Sequence, residues 1–379
     1  MIVVAATAER GDETRVALSP ETAKKLKALG CEVRVQAGAG QGSHFLDAAF
    51  AEAGARVLPS AEETLSGADI VLKVRRPDSQ EIGAMKRGAV LAAMLDPYSA
   101  KDGIEALAQA GIDAFSMELM PRISRAQTMD VLSSQANLAG YKAVVDAAAH
   151  FSRAMPMMMT AAGTVPAARV FIMGVGVAGL QAIATARRMG AVVTATDVRP
   201  ATKEQVESLG AKFIAVQDEE FKQAETSGGY AKEMSEEYKR KQGELVADHV
   251  KAQDIVITTA LIPGRPAPRL ITRAMVESMK PGSIIADLAA ERGGNCELTK
   301  PGEISVHNGV TIMGELNLPG RVSGNASSLY ARNLYAFIEP LIDKANGAMH
   351  INWDDEIVKG TALTRDGAVI HPSLTGAKA

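Results

Sequence analysis

Apolar and polar positions alternate between two periods along the first 118 residues of the chain. Short apolar, β-branched runs are separated by stretches in which apolar residues recur every three or four positions. The first pattern predicts buried strands and the second predicts amphipathic helices. Strands and helices that alternate in this way are typical of a parallel sheet covered by helices. The runs predicted as strands are 2–6, 32–36, 56–58, 69–74, 89–95 and 112–117.

The alternation stops and then resumes in a second segment. Residues 118–130 have no clean period, and an Ala-rich helical stretch follows over residues 131–151. The strand–helix pattern returns at residue 169. Within this second segment, a polar loop is predicted over residues 217–229 and a charged helix over residues 230–251. We therefore predict a second α/β unit after the long helical stretch.

Another long helix is predicted over residues 326–345, with residues 323–325 as its cap. Its apolar stripe indicates that it packs on the first unit, and the polar tail over residues 352–379 is predicted to be extended. The length of 379 residues also favours two domains. The predicted fold is α/β, with two Rossmann-like domains that have parallel sheets and are joined by two long helices across a cleft. The predicted domains are 1–133 with 322–379, and 134–321.

One stretch combines a strand, a glycine-rich turn, a helix, a second strand and a terminal acid. Gly174, Gly176 and Gly179 form G-x-G-x-x-G after an apolar run, and Asp197 ends the next β-branched run. In a dinucleotide site these glycines permit a tight turn, a close approach of the pyrophosphate and close packing of the helix. The N-terminus of that helix attracts phosphate groups. A carboxylate at Asp197 suits the 2′-hydroxyl of NAD and repels the 2′-phosphate of NADP. The sequence therefore predicts an NAD(H) site, although Arg199 nearby weakens the preference over NADP(H).

Composition excludes several other classes of protein. The formal net charge is −3 and aromatic residues make up 4% of the chain, so nothing indicates a nucleic-acid partner. Cys31 and Cys296 lie far apart, outside any metal-binding spacing, so we predict no metal and a reducing compartment. The N-terminus has no signal-peptide pattern, and no apolar run reaches 18 residues. We therefore expect a cytoplasmic chain without direct membrane insertion.

Several motifs together resemble one family. They are PRISRAQTMDVLSSQANLAGYKAV, MGVGVAGLQAIATARRMGAVVTATDVR, SGGYAKEM and ITTALIPGRPAP. They are similar to the NAD(H)-binding component, domain I, of proton-translocating nicotinamide nucleotide transhydrogenase, whose fold is shared with alanine dehydrogenase. The resemblance covers nearly the whole chain. It implies direct hydride transfer between NADH bound here and NADP⁺ bound on a partner subunit, coupled to proton movement by a separate membrane component.

The resemblance also implies partners and a location. It predicts a homodimer that docks on an NADP(H)-binding domain and on membrane-spanning subunits. The chain would then be cytoplasmic and peripheral at the cytoplasmic face of the inner membrane, held there by its partners. A hairpin-like stretch over residues 302–314 could supply apolar contact between the two copies, or it could be an ordinary sheet edge. The apolar residues in it are Ile304, Val306, Val310 and Ile312.

The loop before the long helical stretch carries the candidate catalytic residues. Arg122 and Gln127 can hold a carboxamide, and Asp130 can accept a hydrogen bond from its NH₂ group. By resemblance these three residues position the dihydronicotinamide, and Gln127 faces the second nucleotide. We expect this loop at the mouth of the cleft between the domains. The alternative is a surface loop in which Asp130 only starts the next helix.

The predicted cofactor contacts fall into three groups. Ser133 adjoins the nicotinamide loop. The second group comes from the dinucleotide fingerprint, which is the G-x-G-x-x-G motif together with the terminal acid Asp197 and its neighbours. By resemblance, Tyr230 and Met234 belong to a mobile loop that closes over NAD(H), whereas Gly229, Gln242 and Leu261 contact the adenosine or ribose side. The predicted cofactor-binding residues are Ser133, Gly174, Val175, Gly176, Val177, Gly179, Asp197, Val198, Arg199, Gly229, Tyr230, Met234, Gln242 and Leu261.

Two alternative functions stay open. In a self-contained alanine dehydrogenase-like enzyme, Arg15 would resemble the arginine that binds the substrate carboxylate. Its lysine, however, is replaced here by Arg75, and its histidine by Asp96. An aspartate ionised at pH 7 is a poor proton donor to an imine or a ketone. If this alternative fails, Arg15 and Arg75 have structural or surface roles. The third hypothesis is a non-catalytic NAD-binding module.

Overall fold

The computed structural model describes residues 1–222, 234–262, 264–344 and 346–376. By its internal contacts the chain divides into two compact units. The first unit is Met1–Gln135 with Pro319–Ala379, and the second is Ala136–Leu318. These units are defined by contacts alone, so the domain boundaries predicted from the sequence stay a prediction.

Strands and helices alternate through both units, as the apolar periodicity predicted. The strands are β1 Val3–Ala6, β2 Glu32–Gln36, β3 Arg56–Leu58, β4 Ile70–Leu72, β5 Val90–Ala93, β6 Asp113–Ser116, β7 Met158–Thr160, β8 Gly163–Val165, β9 Arg169–Met173, β10 Val192–Thr196, β11 Lys212–Phe213, β12 Ile255–Thr258, β13 Ile284–Asp287, β14 Ile304–His307, β15 Val310–Met313, β16 Ile342–Asp343, β17 Ala348–Met349, β18 Thr364–Arg365 and β19 Ala368–Val369.

The helices connect successive strands in both units, and short 3₁₀ turns occur between several elements. The α-helices are α1 Pro20–Ala28, α2 Asp47–Glu52, α3 Ala61–Leu65, α4 Ser79–Ala84, α5 Lys101–Gln109, α6 Val131–His150, α7 Val177–Arg188, α8 Thr202–Ser208, α9 Glu219–Lys222, α10 Glu236–Val250, α11 Arg273–Ser278, α12 Ser323–Ile338, α13 Glu356–Thr361 and α14 Pro372–Thr375.

The sheet of the first unit has the order β3-β2-β1-β4-β5-β6 within the described residues. All of its neighbouring strands are parallel. Parallel sheets are covered on both faces and their strands become continuous apolar runs. Val90–Ala93 illustrates this, because the whole of β5 is buried. Separate apolar clusters on the two faces confirm the predicted covered sheet.

The sheet of the second unit has the order β11-β10-β9-β12-β13-β15-β14 across the described residues. The chain proceeds from β9 outward to β11, and then returns to the other side of β9 with β12. Only the pair β14–β15 is antiparallel in the described part of this sheet. In such doubly wound sheets, ligands bind beyond the carboxyl ends of the strands where the order reverses. The switch point here lies between β9 and β12.

The β14–β15 hairpin is confirmed as an antiparallel pair, and β14 forms the edge of its sheet. The four apolar residues predicted as contact surface divide between its two faces. Val310 and Ile312 are buried in the core of the second unit, so the expectation that they contact another copy is wrong. Ile304 and Val306 are exposed.

The helix near the C-terminus differs from its prediction at both ends. Helix α12 begins at Ser323 rather than at residue 326, because the Ser323 hydroxyl donates to the Gly42 carbonyl instead of capping the helix. It ends at Ile338, and Pro340 then lies in a short 3₁₀ turn. Proline cannot continue the backbone hydrogen bonding of a helix, which explains the earlier end. The predicted packing of this helix on the core of the first unit is confirmed.

Two stretches predicted to lack regular structure contain helices. The tail from residue 352 is not extended: Ile357 and Val358 of α13 are buried, and β18 and β19 form a hairpin beyond them. The polar loop predicted over residues 217–229 contains α9, and the Asp218 carboxylate accepts a hydrogen bond from its Phe221 N–H at 3.0 Å. Both errors arise because polar capping residues and short apolar pairs resemble loop sequence.

Among the described residues, no helix is both long and apolar enough to cross a lipid bilayer.

Candidate functional site

The three glycines of the G-x-G-x-x-G motif have three different environments. Gly174 has φ +101°, and a Cβ there would lie 2.6 Å from Thr259 Oγ1. A Cβ on Gly179 would overlap the carbonyl oxygen of Gly174. Beside Gly176, in contrast, no described atom lies within 4 Å of a Cβ position. Gly174 therefore makes the turn, Gly179 lets α7 pack against β9, and Gly176 leaves space beside the loop.

The N-terminus of α7 is suited to bind an anion. Gly176 is the N-cap residue, and no side chain of the described residues caps this helix. Uncapped N–H groups and the positive end of the helix dipole together favour a phosphate. The hydroxyl of Thr259, at the end of β12, donates to the Gly174 carbonyl at 2.9 Å. This bond joins the glycine loop to the neighbouring strand at the switch point.

Helix α6 packs closely on the start of α7 through a residue that the sequence analysis missed. A Cβ on Gly140 would overlap the carbonyl oxygen of Ala178, and Asn137 donates to Gln181 at 3.2 Å across the same contact. Glycine inside a helix costs about 1 kcal/mol relative to alanine. A lone glycine in an Ala-rich helix was therefore a usable signal for close approach.

The carboxylate of Asp197 lies buried at the end of β10. It accepts hydrogen bonds from the Val175 N–H at 2.7 Å and the Arg199 N–H at 2.9 Å. The Arg199 guanidinium also donates to both of its oxygens, through Nε and Nη2, at 2.9 Å each. Asp197 thus lies next to the glycine loop, as the fingerprint predicted, and it is paired with an arginine of the same chain.

The other predicted nucleotide contacts have varied surroundings. The Gln242 amide joins the end of β10 to the segment after β11: it accepts from the Val216 N–H at 2.9 Å and donates to Thr196 Oγ1 at 3.1 Å. Met234 is buried in the core of the second unit, whereas Leu261 is 54% exposed. The side chains of Val177, at the start of α7, and Val198, next to Asp197, are also exposed. Gly229 and Tyr230 lie outside the described residues.

The segment that carries Leu261 is fastened by a buried asparagine. Asn295 accepts from the Ala260 N–H at 3.0 Å and donates to the Ala260 and Pro268 carbonyls at 2.9 and 2.8 Å. Its side chain is fully buried. Nothing local in the sequence indicates these partners, which lie 27 and 35 positions away. Asn295 holds the backbone next to Leu261 in one conformation.

In the first unit, the loop over residues 122–130 is anchored by apolar residues and displays polar ones. Ala126 and Met129 are buried in the core of that unit, while Arg122 and Gln127 are exposed. Loops that buried residues anchor to a scaffold, and that carry large polar side chains at the surface, commonly bind ligands. The structure therefore presents Arg122 and Gln127 in a form that can contact another molecule.

Asp130 caps helix α6. Its carboxylate accepts from the Ser133 N–H at 2.9 Å and from the Ser133 hydroxyl at 2.5 Å. This is the arrangement of an N-cap residue, which was the alternative interpretation of Asp130. A carboxylate has about four lone-pair positions, so the cap leaves capacity for a further donor. Asp130 can therefore cap α6 and also accept a hydrogen bond from a carboxamide.

A residue of α12 fixes the backbone of the same loop. The Asn333 amide donates to the Thr128 carbonyl at 2.8 Å and accepts from the Ser134 hydroxyl at 2.7 Å. Asn333 is buried and lies about 200 positions later in the sequence. Because no local pattern links it to the loop, sequence reasoning could not find it.

Near the start of the chain, the basic residues weighed for an amino-acid dehydrogenase are paired with carboxylates. The Arg15 guanidinium contacts both oxygens of Glu13, at 2.7 and 2.6 Å, and donates to Gln135 at 2.8 Å. Arg75 reaches the same carboxylate at 2.9 Å. Arg15 is only 2% exposed. These pairs match the structural roles expected for Arg15 and Arg75 if the dehydrogenase hypothesis fails.

This pairing predicts an acid-sensitive contribution to stability. Burial opposes the ionisation of Glu13, yet hydrogen bonds and charge from Arg15 and Arg75 hold its pKa at about 2, below the usual 4.5. A carboxyl whose pKa is lowered in the folded state stabilises fully above its unfolded pKa, and this is lost as the pH falls through the folded pKa. We expect Glu13→Gln to destabilise the chain most at neutral pH. The difference from wild type should shrink between pH 4.5 and about 2.

The measurement is urea unfolding at several pH values, followed through the fluorescence of Trp353. It is the single tryptophan of the sequence and it packs on Phe115 in the first unit. A difference between wild type and Glu13→Gln that stays constant from pH 7 to pH 2.5 would contradict the assignment.

No group of three or more potential metal ligands occurs among the described residues.

Two family models match the chain: the alanine dehydrogenase/PNT N-terminal domain over residues 5–139, and the alanine dehydrogenase/PNT C-terminal domain over residues 143–372.

Known proteins with similar sequences and structures include two kinds of enzyme. The chain is 58% identical over 372 residues to an NAD(P) transhydrogenase subunit alpha chain of Rhodospirillum rubrum, covering 97% of both chains. The crystal structure of a transhydrogenase from Sinorhizobium meliloti has a TM-score of 0.89 at 58% identity, covering 97% of this chain and 100% of that one. An alanine dehydrogenase of Mycolicibacterium smegmatis is 30% identical over 383 residues, covering 99% of this chain and 96% of that protein.

Proposed function

Since this chain belongs to the alanine dehydrogenase/PNT family, and within it to the NAD(P) transhydrogenase alpha subunits, we propose that it is the NAD(H)-binding component of a proton-translocating transhydrogenase. A hydride passes directly between NADH bound by this chain and NADP⁺ bound by a partner subunit. A separate membrane component couples the transfer to proton translocation.

The geometry around the glycine loop is the observation that supports this proposal most directly. An uncapped helix N-terminus, open space beside Gly176 and a carboxylate at the end of β10 lie together at the switch point of one sheet. These features suit a pyrophosphate and a ribose of one dinucleotide. With Asp197 as the terminal acid, NAD(H) fits better than NADP(H).

The proposed reaction needs no proton donor or acceptor. A hydride that moves from one nicotinamide to another leaves no alkoxide or amine to protonate, so orientation and exclusion of water supply the catalysis. We assign the orientation of the dihydronicotinamide to Arg122 and Gln127, which are exposed on their loop, and to Asp130, which also caps α6. Each can bond an amide group.

Partners follow from the same proposal. Two copies of the chain form a homodimer, which docks on an NADP(H)-binding domain and on membrane-spanning subunits at the cytoplasmic face of the membrane. The exposed Ile304 and Val306 on the edge strand β14 support a contact between copies, because an exposed apolar edge favours pairing with another chain.

The decisive experiment measures hydride transfer from NADH to NADP⁺ in a single turnover, with the purified chain and a purified NADP(H)-binding partner domain. We expect transfer only when both proteins are present. Gln127→Ala should slow transfer by at least about tenfold, because it removes an interaction that orients the reacting groups, while NADH affinity stays within about threefold.

Thr128→Ala is the matched control, because Thr128 is the exposed neighbour of Gln127 and only its backbone carbonyl is held by Asn333. It should transfer hydride like wild type. NADH oxidation by pyruvate and ammonia without a partner would instead establish the alanine dehydrogenase alternative. Tight NADH binding with neither activity would leave only the non-catalytic binding module.

A further inference from the structure

The pair of Asp197 and Arg199 bears on how the nucleotide site selects its ligand. Four hydrogen bonds reach the Asp197 carboxylate: from the Val175 N–H, from the Arg199 N–H and from two nitrogens of the Arg199 guanidinium. These bonds engage both carboxylate oxygens, so the acid and the guanidinium are held together as one unit. The guanidinium is therefore held directly over the acid that a ribose would approach.

The Arg199 side chain is also fixed to the glycine loop. Its Nη2 donates to the Val175 carbonyl at 3.1 Å, in addition to its bond with Asp197 at 2.9 Å. The Arg199 side chain as a whole is 30% exposed. A planar, bidentate cation in this position lies next to the predicted site of the adenosine ribose.

Guanidinium groups recognise phosphates through the same bidentate geometry. In Rossmann-type sites, a terminal acid selects NAD(H) and a nearby arginine accommodates the 2′-phosphate of NADP(H). This chain has both residues two positions apart, and they are bonded to each other. Asp197 here pairs with the Arg199 guanidinium, the cation that could otherwise bind the phosphate.

We propose that Asp197 excludes NADP(H) in two ways: through its own charge, and by holding the Arg199 guanidinium that would otherwise bind a 2′-phosphate. Arg199 is thus a latent 2′-phosphate ligand and a specificity-determining residue of the site. This inference rests on the proposed function, since it concerns the same NAD(H) site. A neutral residue at position 197 releases Arg199, and the preference of the site then changes from NAD(H) to NADP(H).

The test uses Asp197→Asn, which keeps an amide oxygen for the Val175 N–H but loses the negative charge. Binding of NADH and NADPH is measured by fluorescence titration of the full chain. NADPH affinity should rise at least tenfold over wild type, and NADH affinity should fall about tenfold because a bond to a charged acceptor is lost. Competition by adenosine 2′,5′-bisphosphate against 5′-AMP should show the same reversal.

A second substitution separates the two effects of Asp197. In Asp197→Asn with Arg199→Ala, the gain in NADPH affinity should disappear almost completely. In the matched control, Asp197→Asn with Arg188→Ala, an exposed arginine in the last turn of α7 is removed and the gain should stay. The control loses the same charge at another place, so it accounts for general electrostatics.

Two results would overturn the inference: no gain in NADPH affinity in Asp197→Asn, or a gain that falls less than threefold when Arg199 is also removed. Should Asp197→Asn fail to fold, Asp197→Ser provides the same small, neutral replacement. Wild type that does not bind NADH at all would refute the proposed function instead. Wild type that binds NADH, with a gain independent of Arg199, would refute only this inference.

Discussion

Gly179→Ala is expected to weaken NADH binding by roughly 10- to 100-fold and to lower the thermal stability of the second unit. The new methyl group would overlap the carbonyl oxygen of Gly174, which is backbone and cannot rotate away. Overpacking of this kind costs about 1–3 kcal/mol of stability. A shift of α7 that relieves the overlap also displaces the helix N-terminus from the phosphates, and each loss of about 1.4 kcal/mol in binding is a factor of about ten in affinity. The measurement is NADH fluorescence titration together with thermal unfolding followed by circular dichroism.

Two other glycines separate the effect on the fold from the effect on binding. Gly176→Ala should leave the unfolding temperature unchanged, because no described atom lies near its Cβ position, yet it should weaken NADH binding by blocking the pyrophosphate. Gly243→Ala, in the open middle of α10, should stabilise by about 0.5–1 kcal/mol without any effect on NADH. If Gly179→Ala bound NADH as wild type does, the assignment of the glycine roles would be wrong.

Lys73→Met should destabilise the first unit by about 3–5 kcal/mol, the usual cost of leaving a buried charge unpaired. Lys73 is only 1% exposed, and its ammonium group lies 2.8 Å from Glu81 and 3.6 Å from Glu9. Burial already raises the pKa of Glu9, although the charge of Lys73 opposes this. Loss of the cation would leave two buried carboxyl groups without their shared partner. Urea unfolding followed through Trp353 fluorescence measures the effect.

The paired control for Lys73→Met is Lys86→Met. Lys86 pairs with Asp69, but its side chain is 40% exposed, and such surface pairs contribute at most about 1 kcal/mol. In addition, Lys73→Met with Glu81→Gln should be less destabilised than the sum of the two single variants, because the double variant removes both charges of the pair. A Lys73→Met chain with an unchanged unfolding midpoint would show that the cluster is not stabilising.

Much of the fold was predictable because its signals are local. Helix α1 begins at a capping box of Ser19 and Thr22, whose bonds span only three residues, so the start of this helix is a local signal. The strands β2 and β3 have the bounds that were predicted for them. Strand β5 is buried along its whole length, and there a continuous apolar sequence marks a central strand of the parallel sheet directly.

The predictions that failed depended on contacts with distant parts of the chain. Residues 352–376 look polar, yet Ile357 and Leu363 are buried against the sheet of the first unit, with Leu363 bonded to the Ala114 carbonyl. Ala114 belongs to the edge strand β6, so the structure of the tail depends on its contact with that strand. For α12 a local signal did exist, because Pro340 inside the predicted helix indicates an earlier end.

The candidate site divides in the same way. The sequence by itself determined the glycine loop, helix α7 and Asp197, because G-x-G-x-x-G acts through backbone conformation within one strand–helix–strand unit. It also determined which polar residues the loop over residues 122–130 contains. Their exposure depended on burial of Ala126 and Met129 in a core that other strands and helices build.

Only the tertiary structure decided what fixes these elements in place. Asn333 holds the Thr128 carbonyl from a helix about 200 residues away, Asn295 fastens Ala260, and Gly140 admits the close approach of α6 to α7. Each partner is distant in sequence, and each contact exists because packing brings two backbones within hydrogen-bonding or van der Waals distance. Sequence patterns record the conformation of a segment, whereas such contacts depend on which segments the folded core places side by side.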